Sequence, residues 1–144
     1  MKKMLNETQI TMLSRSCNES YARIAVASFI AVLDPTIDEL TDIKTAVSEA
    51  VTNCIVHAYR EKIGKIYITA RIFDDRLISI SIRDKGCGIE DVKKAMEPTY
   101  STMSSELAGL GFSVMKAFMD KLTVRSHTDR GTSVTMVKKL KPQE

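Results

Sequence analysis

The chain has 144 residues, 44% of them hydrophobic and 27% charged, with a net charge of +3 at pH 7. That size and balance suit one globular domain, 1–144, with a sizeable core. They argue against a membrane span, because no apolar run is long enough, and against a direct nucleic-acid binder, because the one basic cluster, Lys138-Lys139-x-Lys141, reads as a solvated terminus.

In chain order, residues 7–14 read as a first strand. Ser16-x-x-Glu19 has the form of a capping box, and Tyr21 to Leu33 follows as a largely buried helix. Asp34-Pro35 separates it from a second helix, with Pro35 in the first turn. That helix is predicted from Ile37 to Tyr59, because Ile37, Leu40, Ile43, Val47, Ala50, Val51, Cys54, Ile55 and Ala58 recur at helical spacing; Gly64 breaks it. Ile66, Ile68, Ala70 and Ile72, then Ile78, Ile80 and Ile82, alternate with polar or exposed-type residues around Asp74-Asp75, which predicts an antiparallel hairpin. A short helix is predicted over 90–96 and a mobile Ser/Thr-rich loop over 97–108. Leu110 to Leu122 reads as helix, and two strands, Lys121 to His127 and Thr132 to Lys139, flank an Asp129-Arg130-Gly131 turn. The expected fold is α+β: a two-layer sandwich with helices on one face of a mostly antiparallel sheet.

The N-terminus lacks the apolar core of a secretory signal. Cys17, Cys54 and Cys87 form no Cys-x-x-Cys pair, which fits a reducing cytoplasm and gives no zinc site. Cys87 reads as a packed small residue rather than a reactive thiol.

Three motifs carry chemistry: Glu49-x-x-x-Asn53 in the second helix, Asp84-x-Gly86-x-Gly88 after the hairpin, and Gly109-x-Gly111 at a predicted helix start. Roughly 0.7 Gly-x-Gly patterns arise by chance in a chain of this size, and roughly 4 Asp-x-Gly-x-Gly patterns per hundred such chains, so order and setting carry the weight. Glu49 and Asn53, four residues apart, share a helix face. The Asn53 amide oxygen is a hard ligand suited to Mg²⁺, and Glu49 suits a general base. Asp84 suits a hydrogen bond from the exocyclic amine of adenine, while Gly86 and Gly88 leave room for the nucleoside. Gly109 and Gly111, at a helix N-terminus, would receive phosphates. Ser101, Thr102, Ser104 and Ser105 form either a phosphate lid or a solvated loop. Thr132, after Gly131, either reaches the adenine pocket from the sheet or serves only as turn chemistry, and His57 reads as a packed helical histidine.

These motifs resemble the nucleotide-binding boxes of the ATPase superfamily that contains gyrase, heat-shock-90 chaperones, sensor histidine kinases and MutL. Asn18-Glu19-Ser20-Tyr21-Ala22-Arg23, Leu33-Asp34-Pro35-Thr36, Val47-Ser48-Glu49-Ala50-Val51-Thr52-Asn53 and Gly111-Phe112 are similar to the stage II sporulation anti-sigma F factors, over about residues 10 to 137. The resemblance implies a histidine-kinase-like fold. It also implies a homodimer carrying ATP or ADP that holds sporulation sigma factor F inactive and phosphorylates a serine of the anti-anti-sigma factor with Mg²⁺–ATP. It implies Glu49 as catalytic base and Asn53 as Mg²⁺ ligand. Asp84, Gly86, Gly88 and Thr132 fall at the adenine, Gly109 and Gly111 at the phosphates, and Glu19 and Arg23 at the partner contact. Leu107 stands where that family carries an arginine near the γ-phosphate, so a nucleotide-dependent sigma-binding module without kinase activity is the alternative. A histidine kinase is disfavoured, because no helical phosphoacceptor segment precedes the pocket. A gyrase-type ATPase is disfavoured by the lack of a transducer and by the modest basic surface.

Overall fold

The computed structural model describes residues 2–89, 91–96 and 103–143; for Lys94 and residues 103–109 it describes the backbone alone. The elements are β1 (Met4–Leu13), α1 (Cys17–Ile30), α2 (Ile37–Thr52), β2 (Lys65–Phe73), β3 (Leu77–Asp84), α3 (Val92–Ala95), α4 (Met103–Phe118), β4 (Lys121–His127) and β5 (Gly131–Lys139). The strands form one five-stranded sheet in the order β1-β2-β3-β5-β4, with every neighbouring pair antiparallel. The expected α+β sandwich is the observed one.

Alternation along the strands creates the core. Ile66, Ile68 and Ile72 of β2, Ile78, Ile80 and Ile82 of β3, and Met136 of β5 are buried against Val26 and Ile30 of α1, Ile43, Val47 and Val51 of α2, and Met115 of α4. Each such side chain contributes about 1.5–3 kcal/mol when fully buried. Apart from Gly131, the intervening residues of β2, β3 and β5 lie on the opposite face and are half-buried or exposed. One face of the sheet is therefore covered and the other is open.

Several boundaries differ from expectation. Ser16 caps α1 without a side-chain hydrogen bond, so the predicted box there does not form; Glu19 pairs instead with Arg23, at 3.1 Å. The capping box belongs to α2. Thr36 Oγ1 accepts from Glu39 N at 3.1 Å, and Glu39 Oε1 accepts from Thr36 N at 2.9 Å. Pro35 thus precedes the cap rather than occupying the first turn. The second helix is α-helical to Thr52 and then widens into a π-turn, Asn53–Ala58, closed by Tyr59 N on Cys54 O.

The largest correction concerns α4. It begins at Met103, so the predicted loop over 97–108 is helical from 103 onward, while 97–102 lie outside the described residues. Gly109 and Gly111 sit inside the helix and not at its start. A glycine costs a helix only about 1 kcal/mol, which the buried Phe112, Met115 and Met119 offset. The C-terminal segment returns to the α1–α2 junction, where Lys141 N donates to Glu39 Oε2 at 2.8 Å and Arg76 donates to the carbonyls of Leu33 and Lys141, each at 2.7 Å.

Candidate functional site

The last turns of the second helix set the site. Glu49 is half-buried, and Asn53 lies four residues further on, at the onset of the π-turn. Gly111 of α4 packs directly above them. A Cβ built on Gly111 would lie 3.1 Å from Glu49 Oε2, 3.3 Å from Asn53 Oδ1 and 3.4 Å from Asn53 Nδ2. Glycine suits this position because the two helices approach closely, and a Cβ would press on the polar pair. The Asn53 Nδ2 is buried with no hydrogen-bond partner among the described residues. Such an unmet donor costs stability and marks a place where a ligand acceptor fits.

Asp84 ends β3 with its carboxylate buried. Its Oδ1 accepts from Gly86 N at 2.9 Å and from Thr132 N at 3.2 Å. The buried Cys54 thiol, one residue past Asn53, donates to the same carboxylate. A carboxylate accepts about four hydrogen bonds, so three donors leave one acceptor position for an incoming N–H. Burial raises the Asp84 carboxyl above the ordinary range, against the pull of these three donors. Burial and the neighbouring carboxylate push the Cys54 thiol well up, so it stays protonated and continues to donate. Cys54 thereby joins the Glu49–Asn53 helix to the Asp84 loop.

Wide-turn carbonyls complete the join. Ala58 O accepts from Cys87 N at 3.0 Å, and His57 O accepts from Cys87 Sγ at 3.4 Å. Gly86 lies so close to this turn that a Cβ would meet Ala58 O at 2.4 Å. Gly88, with φ +75°, is packed against His127 O, where a Cβ would stand at 2.1 Å. Gly131 has φ +108° and backs onto Asp84 O, again 2.1 Å from a Cβ. His57 is half-buried, and burial followed by the Arg60 charge lowers its pKa, in keeping with a packed neutral histidine. A cleft of about 820 Å³ runs beside the turn, lined by Tyr59, Lys62, Lys85 and Cys87 among others; it includes neither Asp84 nor Asn53.

Of the sequence candidates, Glu49, Asn53 and Gly111 converge at one end, and Asp84, Gly86, Gly88 and Thr132 at the other. Gly109 lies within α4, two residues before Gly111, and the side chains at Ser104, Ser105 and Leu107 lie outside the described residues, as do Ser101 and Thr102. Glu19 and Arg23 sit on α1. Arg23 also donates to Ser20 Oγ at 3.1 Å and to Ser48 Oγ at 3.5 Å, beside Glu49 in the chain. Three residues were not anticipated. Cys54 read as part of the apolar stripe. Gly131 read as a turn glycine. Ser126 Oγ accepts from Ile89 N at 2.7 Å, donates to Gly131 O at 3.1 Å and lies 2.8 Å from Thr132 Oγ1. Its signal was available: a hydroxyl at a core-facing position of β4, after Leu122 and Val124.

Comparisons with known proteins place this arrangement in a family. Residues 17–138 match the histidine kinase-like ATPase domain family. A Caldanaerobacter subterraneus anti-sigma F factor is 57% identical over 134 residues, covering 92% of this chain and 93% of the relative. A Clostridium novyi anti-sigma F factor is 51% identical over 141 residues, covering 96% and 98%. Among solved structures, the RsbU and RsbW domains of a Mycobacterium tuberculosis protein superpose with TM-score 0.71 at 20% identity, over 97% of this chain and 34% of that one. A histidine kinase domain from an Erythrobacter litoralis blue-light activated kinase does so with TM-score 0.56 at 20% identity, over 85% and 64%. The chain belongs to the histidine kinase-like ATPase domain family and, within it, to the anti-sigma F factors.

Proposed function

We propose that this chain is a single-domain, cytoplasmic anti-sigma factor that binds sporulation sigma factor F and uses Mg²⁺–ATP to phosphorylate a serine of an anti-anti-sigma factor. The observation that carries the proposal is the junction of two half-sites through Cys54: Glu49 and the orphaned Asn53 amide on one side, the Asp84 carboxylate with one acceptor position free on the other.

The residues present fit the nucleotide. Asp84 takes the adenine amine, positioned by Gly86 and Thr132, and Gly88 keeps that loop against the β4–β5 hairpin. Asn53 would hold Mg²⁺ through its amide oxygen, a hard ligand of the kind that ion takes. When bound, Mg²⁺ neutralises charge on the phosphate oxygens. Gly109 and Gly111 lie inside α4, where the lack of side chains would let phosphates approach the helix closely. Glu49 takes the proton of the attacking serine hydroxyl.

Arg23 is held by Glu19 and Ser20 and reaches Ser48, next to Glu49 in the chain, which supports a partner contact on α1 near the catalytic base. The free edge of β1, with Leu5 exposed, and the exposed Tyr21 and Ile24 of α1 support a homodimer. No described helix is long and apolar enough to cross a membrane.

Incubation with radiolabelled ATP and the cognate anti-anti-sigma protein tests the proposal. Phosphoserine should form with wild type. Glu49→Gln should bind ATP within a factor of about two, because charge is removed without volume, and lose transfer by about 10²-fold or more. Bound nucleotide without phosphoserine would reject the kinase half and leave a nucleotide-dependent sigma clamp, which a pull-down comparing ADP with ATP would then measure.

A further inference from the structure

The open face of the sheet has a charge pattern that the nucleotide site does not use. Strand register places Gln9, Thr69, Ser81, Thr135 and Thr123 in one row across all five strands, a flat band of short polar side chains. Arg71 and Lys121 lie on one side of this band, and Arg83 and Arg125 on the other. Lys85 follows beyond them. Glu7 is the carboxylate that the paired strand positions contribute to this face, and Arg71 neutralises it at 2.7 Å. Two of the cations are held in place: the Arg83 guanidinium lies 4.9 Å and the Lys85 ammonium 5.1 Å from the centre of the Tyr67 ring. Arg83, Lys85, Lys121 and Arg125 are exposed and make no ion pair among the described residues.

We propose that this face docks a carboxylate-rich surface of a partner protein. Cations on both sides of a polar band, two of them held against Tyr67, complement spaced carboxylates, and guanidinium groups bind those in bidentate fashion. A single-stranded nucleic acid is a poorer fit. Such ligands need an aromatic platform open to bases, and the Tyr67 ring is engaged by two cations, while Phe73 lies at the far end beside Leu77. Tyr67 acts as a positioning residue for Arg83 and Lys85.

Fluorescence anisotropy with a labelled poly-glutamate peptide, and with oligo-dT of equal charge, tests the proposal on the full chain. Wild type should bind the peptide several-fold more weakly as salt rises from about 50 to about 200 mM. The double reversal Lys121→Glu with Arg125→Glu should weaken binding about tenfold or more. The charge-matched reversal Lys44→Glu with Lys116→Glu, on the helical layer, should change it by less than about twofold. Tyr67→Leu should weaken it less than the reversal does. If the double reversal does not fold, the single Arg125→Gln variant reads the same quantity. No peptide binding, an equal loss in the helical-layer control, or tighter binding of oligo-dT than of peptide would each overturn the proposal.

Discussion

Gly131→Ala should be among the most damaging single-methyl changes in this protein. The added Cβ would lie 2.1 Å from Asp84 O, 2.7 Å from Lys85 Cα and 2.9 Å from Asp84 C. All three are backbone atoms, so no side chain can swing away to make room. The φ of +108° also lies outside the region that an alanine tolerates. Backbone strain of this kind costs about 1–3 kcal/mol, and overpacking costs about 1–3 kcal/mol more. The expected loss is therefore about 2–6 kcal/mol, a large part of the roughly 5–15 kcal/mol that holds a domain of this size together. Relief by moving β3 away from β5 would carry Asp84 with it and break its bond from Thr132 N. Urea unfolding should show the stability loss, and equilibrium dialysis of adenine nucleotide should show weakened binding in whatever fraction stays folded. A loss below about 1 kcal/mol with unchanged nucleotide affinity would refute the reasoning, because it would mean that the β3–β5 contact is not tight where Asp84 is placed.

Three other perturbations probe the same framework. Ser126→Ala strands the Ile89 N–H and the Thr132 hydroxyl, so unfolding free energy should fall by about 1–2 kcal/mol and nucleotide affinity should drop with it, read by urea titration and dialysis. Because burial raises the Asp84 pKa, adenine nucleotide affinity should be full above that raised pKa and decline as pH falls through it, as protonation removes the acceptor; Asp84→Asn should bind weakly at all pH and lose that dependence in a calorimetric titration. Glu39 behaves oppositely. Burial opposes its ionisation, but hydrogen bonds from Thr36 and Lys141 and the Arg76 charge hold its pKa down. Its contribution to stability should be complete above the ordinary glutamate pKa and be lost as pH falls through the lowered one, and Glu39→Ala should cost about 1–2 kcal/mol in thermal unfolding followed across that window.

The strands and their inward faces were legible because side-chain direction in a strand repeats every two residues, so Ile66 to Ile82 record their own burial. The α2 stripe was legible for the same reason at helical period, and it placed Glu49 and Asn53 on one edge. The motif residues could be named because backbone approach and metal ligation each demand particular side chains or their absence. Local pattern carried no trace of the π-turn at Asn53, because the same residues satisfy an α-helix and a wider turn equally well. Nor could it place the start of α4. Gly109 and Gly111 lower helix propensity, yet the helix persists because Phe112 and Met115 are buried and Gly111 fits against Asn53. The Cys54–Asp84 bond, the Ser126 hub and the backing of Gly131 on Asp84 join segments far apart in the chain. Contacts of that kind depend on how the layers settle on one another, and no repeating pattern along a single segment encodes them.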